Sequence, residues 1–321
     1  MATTNVLVAG GAGFIGSNFV RYALQARPDW HVTTLDKLTY AGRRENLHDV
    51  IDNPRHTFVH GDIADAPVSG PLVENANVVV HFAAETHVDR SIMSAGDFIR
   101  TDVEGTFVLL EAARRARALR RFVQISTDEV YGSVAAGAST ETDELKPRNP
   151  YSASKAGADR LAYSYWATYH VPVIVTRASN NYGPYQFPEK LIPLFVTNAI
   201  DDIPVPLYGD GRNIRDWLHV LDHCRGVDLL IDKGENGEVY NIGGGKANSC
   251  SILEAFQIVE SMTGRAMRST YVDQARAGDH ICYYSDLTKM RAHYPEWDVR
   301  ISLNDTLRGI VESWHQRLAA H

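Results

Sequence analysis

Short runs of consecutive apolar residues alternate along the first half of the chain with longer stretches in which apolar positions recur every three to four residues. Asn5-Val6-Leu7-Val8-Ala9 is one such run, stopped by Gly10-Gly11, and residues 14–26 then place Phe14, Ile15, Phe19, Val20, Ala23 and Leu24 at helical spacing. Residues 31–35, 57–60, 78–82, 121–125 and 171–176 read as further strands, and 98–118 and 151–169 as long helices. Strands separated by helices predict parallel crossovers, with the sheet covered on both faces. After about Ala178 the pattern loosens. Pro184, Pro188, Pro193, Pro204 and Pro206 fall in one stretch before Gly209-Asp210-Gly211, which predicts loops and short elements. Residues 215–219 and 238–242 are expected to return as strands to the first sheet, and 252–263 and 303–317 to be helical. The resulting division is residues 1–178 with about 215–243 as one domain, and about 179–214 with 244–321 as a second lobe.

Between the first strand and the first helix stands Gly10-x-x-Gly13-x-x-Gly16. A sharp turn there that brings the backbone close to a pyrophosphate leaves no room for a Cβ. The helix start offers free N–H groups and a partial positive charge to phosphates. Asp36 ends the second strand 20 residues beyond Gly16, where a carboxylate accepts both ribose hydroxyls and repels a 2′-phosphate. That combination points to NAD and to an α/β fold of the Rossmann type: a doubly wound parallel sheet with a smaller, mixed α/β C-terminal substrate lobe. Lys37 beside Asp36 complicates the choice, since a cation there tolerates a phosphate. Asp62, after the third strand, can bond an adenine amine or serve only as a turn residue after Gly61.

Two further groups carry chemistry. Tyr151 and Lys155 are four apart at the start of a long helix and so share a face. A lysine cation beside a phenol brings its proton affinity toward useful basicity. A phenolate can take a proton from a sugar hydroxyl while hydride leaves the same carbon, and Thr127 at the end of the fifth strand can position that hydroxyl. The same strand ends in an adjacent acid pair, Asp128-Glu129. Neighbouring carboxylates in a partly buried loop oppose each other's ionisation, which separates an acid from a base. A plain helix cap at Asp128 with Glu129 in solvent is the competing reading. The C-terminal ends of strands in such sheets are where ligands bind.

These residues, together with Asp36-Lys37-Leu38-Thr39-Tyr40-Ala41-Gly42, Ala83-Ala84-Glu85-Thr86-His87-Val88-Asp89-Arg90-Ser91, Ser126-Thr127-Asp128-Glu129-Val130-Tyr131-Gly132, Ser179-Asn180-Asn181-Tyr182-Gly183-Pro184 and Tyr208-Gly209-Asp210-Gly211, resemble the extended short-chain dehydrogenase/reductase family and, within it, the nucleotide-sugar 4,6-dehydratases of the dTDP-glucose type. The resemblance implies an NAD-dependent hydro-lyase: C4 of the hexose is oxidised, water is lost across C5 and C6, and hydride returns to C6. It makes Asp128 the acid and Glu129 the base. It adds Phe14, Ile15, Thr39, Ile63, Ala83, Ala84, Thr101 and Asn180 to the cofactor contacts. For the sugar nucleotide it implies Thr86, His87, Asn181, Lys190, Leu191, Pro206, Tyr208, Arg215 and Arg276. It also implies a homodimer formed through a four-helix interface by the helices near 98–118 and 151–169. An epimerase, a 5,6-dehydratase, a decarboxylase or a 4,6-dehydratase for another nucleotide shares much of the pattern, and related epimerases lack the acid pair. Four departures from the pattern stand out. Asp102-Val103 replaces Asn-Val, Gly245-Lys246-Ala247-Asn248-Ser249-Cys250 stands where Asn-Glu-x-x-Asn is usual, Arg276-Ala277-Gly278-Asp279-His280 exchanges its last two residues, and Ile281-Cys282-Tyr283 replaces Arg-Arg/Lys-Tyr.

Composition narrows the partners. A net charge of -7 and no dominant basic stripe argue against nucleic acid. No apolar run approaches the ~20 residues of a membrane span, and no leader pattern opens the chain. Cys224, Cys250 and Cys282 show neither disulfide nor zinc spacing, so no metal is expected and a reducing, cytoplasmic setting is.

Overall fold

The computed structural model describes residues 3–133, 137–208, 210–264, 266–272 and 284–319. The strands are β1 (Thr4–Ala9), β2 (Trp30–Asp36), β3 (His56–His60), β4 (Val78–His81), β5 (Arg121–Thr127), β6 (Val173–Ala178), β7 (Asn180–Tyr182), β8 (Val205–Tyr208), β9 (Ile214–His219), β10 (Val239–Ile242), β11 (Ser249–Ser251) and β12 (Ser269–Val272). The helices are α1 (Phe14–Ala26), α2 (Ala66–Glu74), α3 (Val88–Met93), α4 (Gly96–Phe98), α5 (Gly105–Arg115), α6 (Pro150–Tyr169), α7 (Leu191–Asp201), α8 (Val220–Lys233), α9 (Ile252–Thr263), α10 (Thr288–His293) and α11 (Leu303–Ala319). Seven strands form one sheet in the order β10-β6-β5-β4-β1-β2-β3, every pair parallel. The order reverses between β1 and β4, which leaves a crevice above the carboxyl ends of those strands.

Two apolar layers flank the sheet. Phe19, Val20, Leu24, Val227 and Ile231 from α1 and α8 fill one face. Leu109, Leu110, Ala162 and Tyr165 from α5 and α6 fill the other. β4 is buried at every position, as its unbroken apolar run requires. A separate core gathers Tyr182, Phe195, Leu207, Trp217, Phe256 and Leu307 in the second lobe.

Several expectations shift. The strand at Ile214–His219 does not join the large sheet; it pairs with β7 and β11 in a sheet of its own. Trp217 packs into the second core and Leu218 into a cluster with Ile174 and Tyr240, and neither residue alone says which sheet the strand enters. The long helix expected over 98–118 is divided, with a π-helical turn at Ile99–Glu104 before α5. The stretch expected to be loops contains the 11-residue α7, whose Pro193 lies in the first turn, where no helical N–H is needed. The sixth strand starts after Pro172 rather than before it. α8 buries Val220, Cys224, Val227, Leu230 and Ile231 at helical spacing that the sequence reading passed over.

Candidate functional site

One cavity of about 500 Å³ runs from the ends of β1 and β2 across the sheet to the second lobe. At its first end, Gly10 takes a positive φ of 78°, and a Cβ there would strike the backbone of Ala83. Gly16 is packed against the Gly10 carbonyl. Gly13 is the N-cap of α1 and offers no side chain to the helix's first N–H groups. The floor is therefore bare backbone at a helix start, a cradle suited to a diphosphate. Asp36 accepts from the N–H groups of Ala12 (2.9 Å) and Leu38 (2.8 Å), and burial raises its carboxyl above the ordinary range. Lys37 turns away from Asp36 to pair with Asp62 at 2.9 Å. Burial opposes the ionisation of Asp62, but hydrogen bonds from Lys37 and the Ala64 N–H hold it below the usual range. Phe14, Ile15, Thr39, Ile63, Ala83, Ala84, Thr101 and Asn180 line the same cavity.

At the middle of the cavity α6 begins. Asn149 caps it through the Ser152 N–H (2.8 Å), and Pro150 at the first position presets the turn. This fixes Tyr151 in the opening turn, with Lys155 one turn on. Lys155 is 5% exposed and donates to the Ile125 carbonyl at 2.7 Å. Burial lowers its proton affinity, opposed by the charges of Asp102 and Asp159. The Tyr151 phenol does not follow the expectation of an eased proton loss. Burial, then the charges of Glu129 and Asp102, push it well above its ordinary value, with a Thr127 hydrogen bond in opposition. Nζ is committed to a carbonyl, and carboxylates rather than the ammonium face the phenol.

The acid pair occupies a 3₁₀ turn, Asp128–Tyr131, at the end of β5. Thr127 donates to Asp128 Oδ1 at 3.2 Å and accepts from the Glu129 N–H at 3.3 Å. Asp128 is 4% exposed, and its Oδ2 has no hydrogen-bond partner among the described residues. Burial raises its proton affinity well above the carboxylate range, followed by the charge of Asp216 and only then that of Glu129. The neighbour read from the sequence is thus the lesser of two charges. Asp216 is fully buried, accepts from the N–H groups of Gly244 (2.7 Å), Gly245 (3.2 Å) and Ser285 (3.1 Å), and is pushed up to about 6 by burial. Glu129 receives the Asn149 amide at 3.5 Å. Burial thus favours the protonated form of Asp128 and sets a proton donor beside a second carboxyl, the arrangement needed to give a proton to one atom and take one from its neighbour.

The far end gathers Thr86, His87, Asn181, Lys190, Leu191, Pro206 and Arg215. Lys190 donates to the Thr86 carbonyl at 3.2 Å, and the Asn181 amide oxygen faces His223 Nδ1 at 3.0 Å. His87 Nε2 stands 3.7 Å from Glu189. Tyr208 belongs by its backbone to β8, and Arg276 lies outside the described residues. Every other sequence-derived site residue lines this one cavity.

A model of the family described as GDP-mannose 4,6 dehydratase matches residues 7–310. The chain belongs to that family. The low-salt glycan biosynthesis protein Agl12 of Haloferax volcanii is 50% identical over 310 residues, 96% of this chain and 97% of that protein. A dTDP-glucose 4,6-dehydratase of Streptomyces antibioticus is 53% identical over 295 residues, 87% of each chain. The crystal structure of DesIV, a dTDP-glucose 4,6-dehydratase of Streptomyces venezuelae solved with NAD bound, superposes with a TM-score of 0.92 at 45% identity, covering 99% of this chain and 98% of that one.

The sequence reading missed the segment that roofs this dehydratase-family cavity. Tyr185 lies under the Arg21 guanidinium (3.9 Å), and Phe187 under that of Arg43 (4.9 Å) and edge-on to Tyr40 (5.5 Å). Arg90 covers Tyr40 at 3.6 Å and approaches Glu189 at 3.8 Å. Its signal was present: two aromatic residues two apart in a proline-rich run are more than a flexible linker needs.

Proposed function

We propose that this chain is an NAD-dependent hydro-lyase converting dTDP-glucose to dTDP-4-keto-6-deoxyglucose. The observation that carries the reading is the meeting, in one cavity, of the Tyr151–Lys155 face of α6 with the Asp128–Glu129 turn. Oxidising a sugar hydroxyl needs only the first; eliminating water needs the second as well. The names of the relatives at 53% and 45% identity support the substrate. NAD, when bound, accepts a hydride from C4 and supplies it to C6. The bare turn of Gly10, Gly13 and Gly16 suits its diphosphate, Asp36 its ribose and Asp62 its adenine amine. Tyr151 is placed to take the C4 hydroxyl proton, with Thr127 orienting that hydroxyl; burial, Glu129 and Asp102 hold the phenol protonated, so it would act as the base only under the added positive charge that bound NAD would bring beside that of Lys155. Glu129 removes the C5 proton, which the C4 ketone has made acidic, and Asp128 protonates the departing C6 hydroxyl through its unpartnered oxygen. Asn181, Lys190 and Arg215 are the candidates for the substrate diphosphate.

The same reading makes the working form a cytoplasmic homodimer. Ile92, Met93, Ile99 and Phe107, with Met93 87% exposed, form an apolar surface on the helices near α5 and α6 that a second copy would cover. Among the described residues no helix is long and apolar enough to cross a membrane.

The test is a panel of dTDP-glucose, UDP-glucose, GDP-mannose and UDP-GlcNAc with product mass. The expected result is a dTDP-glucose product lighter by one water, with alkaline 4-keto absorbance. Deuterium placed at C4 should appear in the new methyl group. A product that keeps its C6 hydroxyl, or label lost to solvent, overturns the reading.

A further inference from the structure

The turn that carries the acid pair is anchored from below. Tyr131 ends this 3₁₀ turn, three residues after Asp128, so the two side chains leave the same edge of it. Its ring is 5% exposed. Its hydroxyl donates to Asn241 Oδ1 at 2.7 Å and accepts from Arg177 Nη1 at 2.9 Å. The polarity is forced, since a guanidinium only donates and the phenol has one proton to give. The Asn241 amide is itself oriented, because its Nδ2 donates to the Ser139 carbonyl at 2.9 Å, and its backbone N–H separately donates to Glu141 Oε1 at 2.8 Å.

Arg177 is 1% exposed and makes a two-pronged pair with Asp159, Nε to Oδ2 at 2.9 Å and Nη2 to Oδ1 at 3.2 Å. Asp159 stands four residues beyond Lys155, eight beyond Tyr151, on one face of α6. The helix face that presents Tyr151 and Lys155 to the cavity is therefore also the footing of the Asp128–Glu129 turn. Beyond Tyr131 the chain leaves through Gly132 at a φ of 79°, and the Lys146 N–H bonds the Val130 carbonyl at 3.0 Å. A buried ion pair adds little stability over an apolar replacement, so its value here lies in geometry.

We infer that Tyr131, held between Arg177 and Asn241, is a positioning residue for the elimination step, fixing where Asp128 and Glu129 meet the sugar. The inference rests on the acid–base reading of that pair given above. Elimination needs both carboxyls at neighbouring atoms of one sugar edge, whereas oxidation relies on Tyr151, which α6 holds, and on Thr127, whose backbone is fixed in β5 beside Ala178 although its hydroxyl bonds the turn. Loosening the turn should slow one step and spare the other.

The test is Tyr131→Phe in the full-length, NAD-loaded protein with dTDP-glucose, alongside Glu129→Gln. Expected for Tyr131→Phe are unchanged NAD content and KM, a kcat lower by about tenfold to a hundredfold, and a rise in reduced cofactor at steady state. Exchange of the C5 hydrogen with heavy water should slow by the same factor as kcat. Arg177→Lys keeps a charge for Asp159 but removes the bond to Tyr131, and should give the same selective loss if Tyr131→Phe is too unstable to assay. Parental turnover in both variants, or equal slowing of oxidation and C5 exchange, overturns the anchor. If Glu129→Gln accumulates reduced cofactor and neither anchor variant does, the anchor alone falls. If Glu129→Gln turns over like the parent, the acid-pair reading falls and takes the anchor with it.

Discussion

The two walls of the cavity hold their side chains by different means. On the sheet side, Asp128 and Lys155 line the cavity and Asp102 does not; each is less than 6% exposed, and Asp102 and Lys155 are bonded to backbone groups. On the roof, Phe187 and Tyr40, which line the cavity, and Tyr185 beside them are held by guanidinium groups stacked on their rings, an interaction of about 0.5–1 kcal/mol at exposed sites. A rigid wall suits proton transfer, which tolerates little misplacement. A weakly held roof suits a surface that must admit and retain a ligand. If the division is right, changes on the sheet side should act on chemistry or global stability, and changes on the roof on retention alone.

The largest effect belongs to the sheet side. Tyr151→Phe removes only the phenolic oxygen, and should lower turnover about 10³-fold. Unlike the acid-pair variants, it should leave no reduced cofactor when substrate is added, read by stopped-flow absorbance. Rapid formation of reduced cofactor in Tyr151→Phe would show that another group takes the C4 hydroxyl proton.

Asp102 sharpens the contrast through stability. It lies on the π-helical turn, accepts from the Glu85 N–H at 2.9 Å and from the Ser154 hydroxyl at 2.6 Å, and is pushed up to about 6 by burial, opposed by Lys155. A carboxyl with a higher proton affinity folded than unfolded stabilises the fold only while protonated. The stability is full below about pH 4, falls as pH rises through 4 to 6, and above that a penalty of up to about 3 kcal/mol persists. Asp102→Asn keeps both hydrogen bonds, with the amide oxygen facing Glu85 and the amide nitrogen donating to Ser154, whose hydroxyl already reaches the Tyr151 carbonyl at 2.8 Å. The variant should therefore unfold at higher denaturant than the parent at pH 8, with the gap closing by pH 4. A gap that widens toward acid pH would mean that Asp102 is ionised and stabilising in the fold, as the counter-ion of Lys155.

The same two walls differ in how far they could be read from sequence. Gly10, Gly13 and Gly16, the Tyr151–Lys155 pair and the Thr127-Asp128-Glu129 run each sit within one turn or at one strand end, so local spacing carries their geometry. The charge that acts most on Asp128 comes from Asp216, 88 positions away on a strand expected to join the sheet of β5 but lying in a separate one. The clamp on Tyr131 joins α6, β6 and β10, and nothing in the run Val130-Tyr131-Gly132 announces it. β9 shows the same limit, since Ile214-Arg215-Asp216-Trp217-Leu218-His219 carries no alternation that would assign it to either sheet, and only the long-range partners decide. Pro193 misled for a local reason, because a proline in the first turn of a helix looks the same in sequence as one in a loop.

The smallest effect tests the roof. Phe187→Ala removes the ring that Arg43 covers and Tyr40 meets edge-on, and leaves every hydrogen bond on the sheet side in place. The lost stacking, about 1–2 kcal/mol, corresponds to a roughly tenfold weaker hold on NAD. Bound nucleotide remaining after exhaustive dialysis should fall accordingly, while kcat with saturating NAD stays at the parental value. Asn18 tethers the same segment through the Pro184 carbonyl at 2.9 Å, so the roof should remain attached at its start and the loss should be partial. If kcat fell with NAD saturating, Phe187 would be acting on the reacting groups, and the separation of a chemical wall from a retaining one would be wrong. If retention did not change, Tyr185 under Arg21 would be holding the roof without it, and the corresponding double variant should then release the nucleotide.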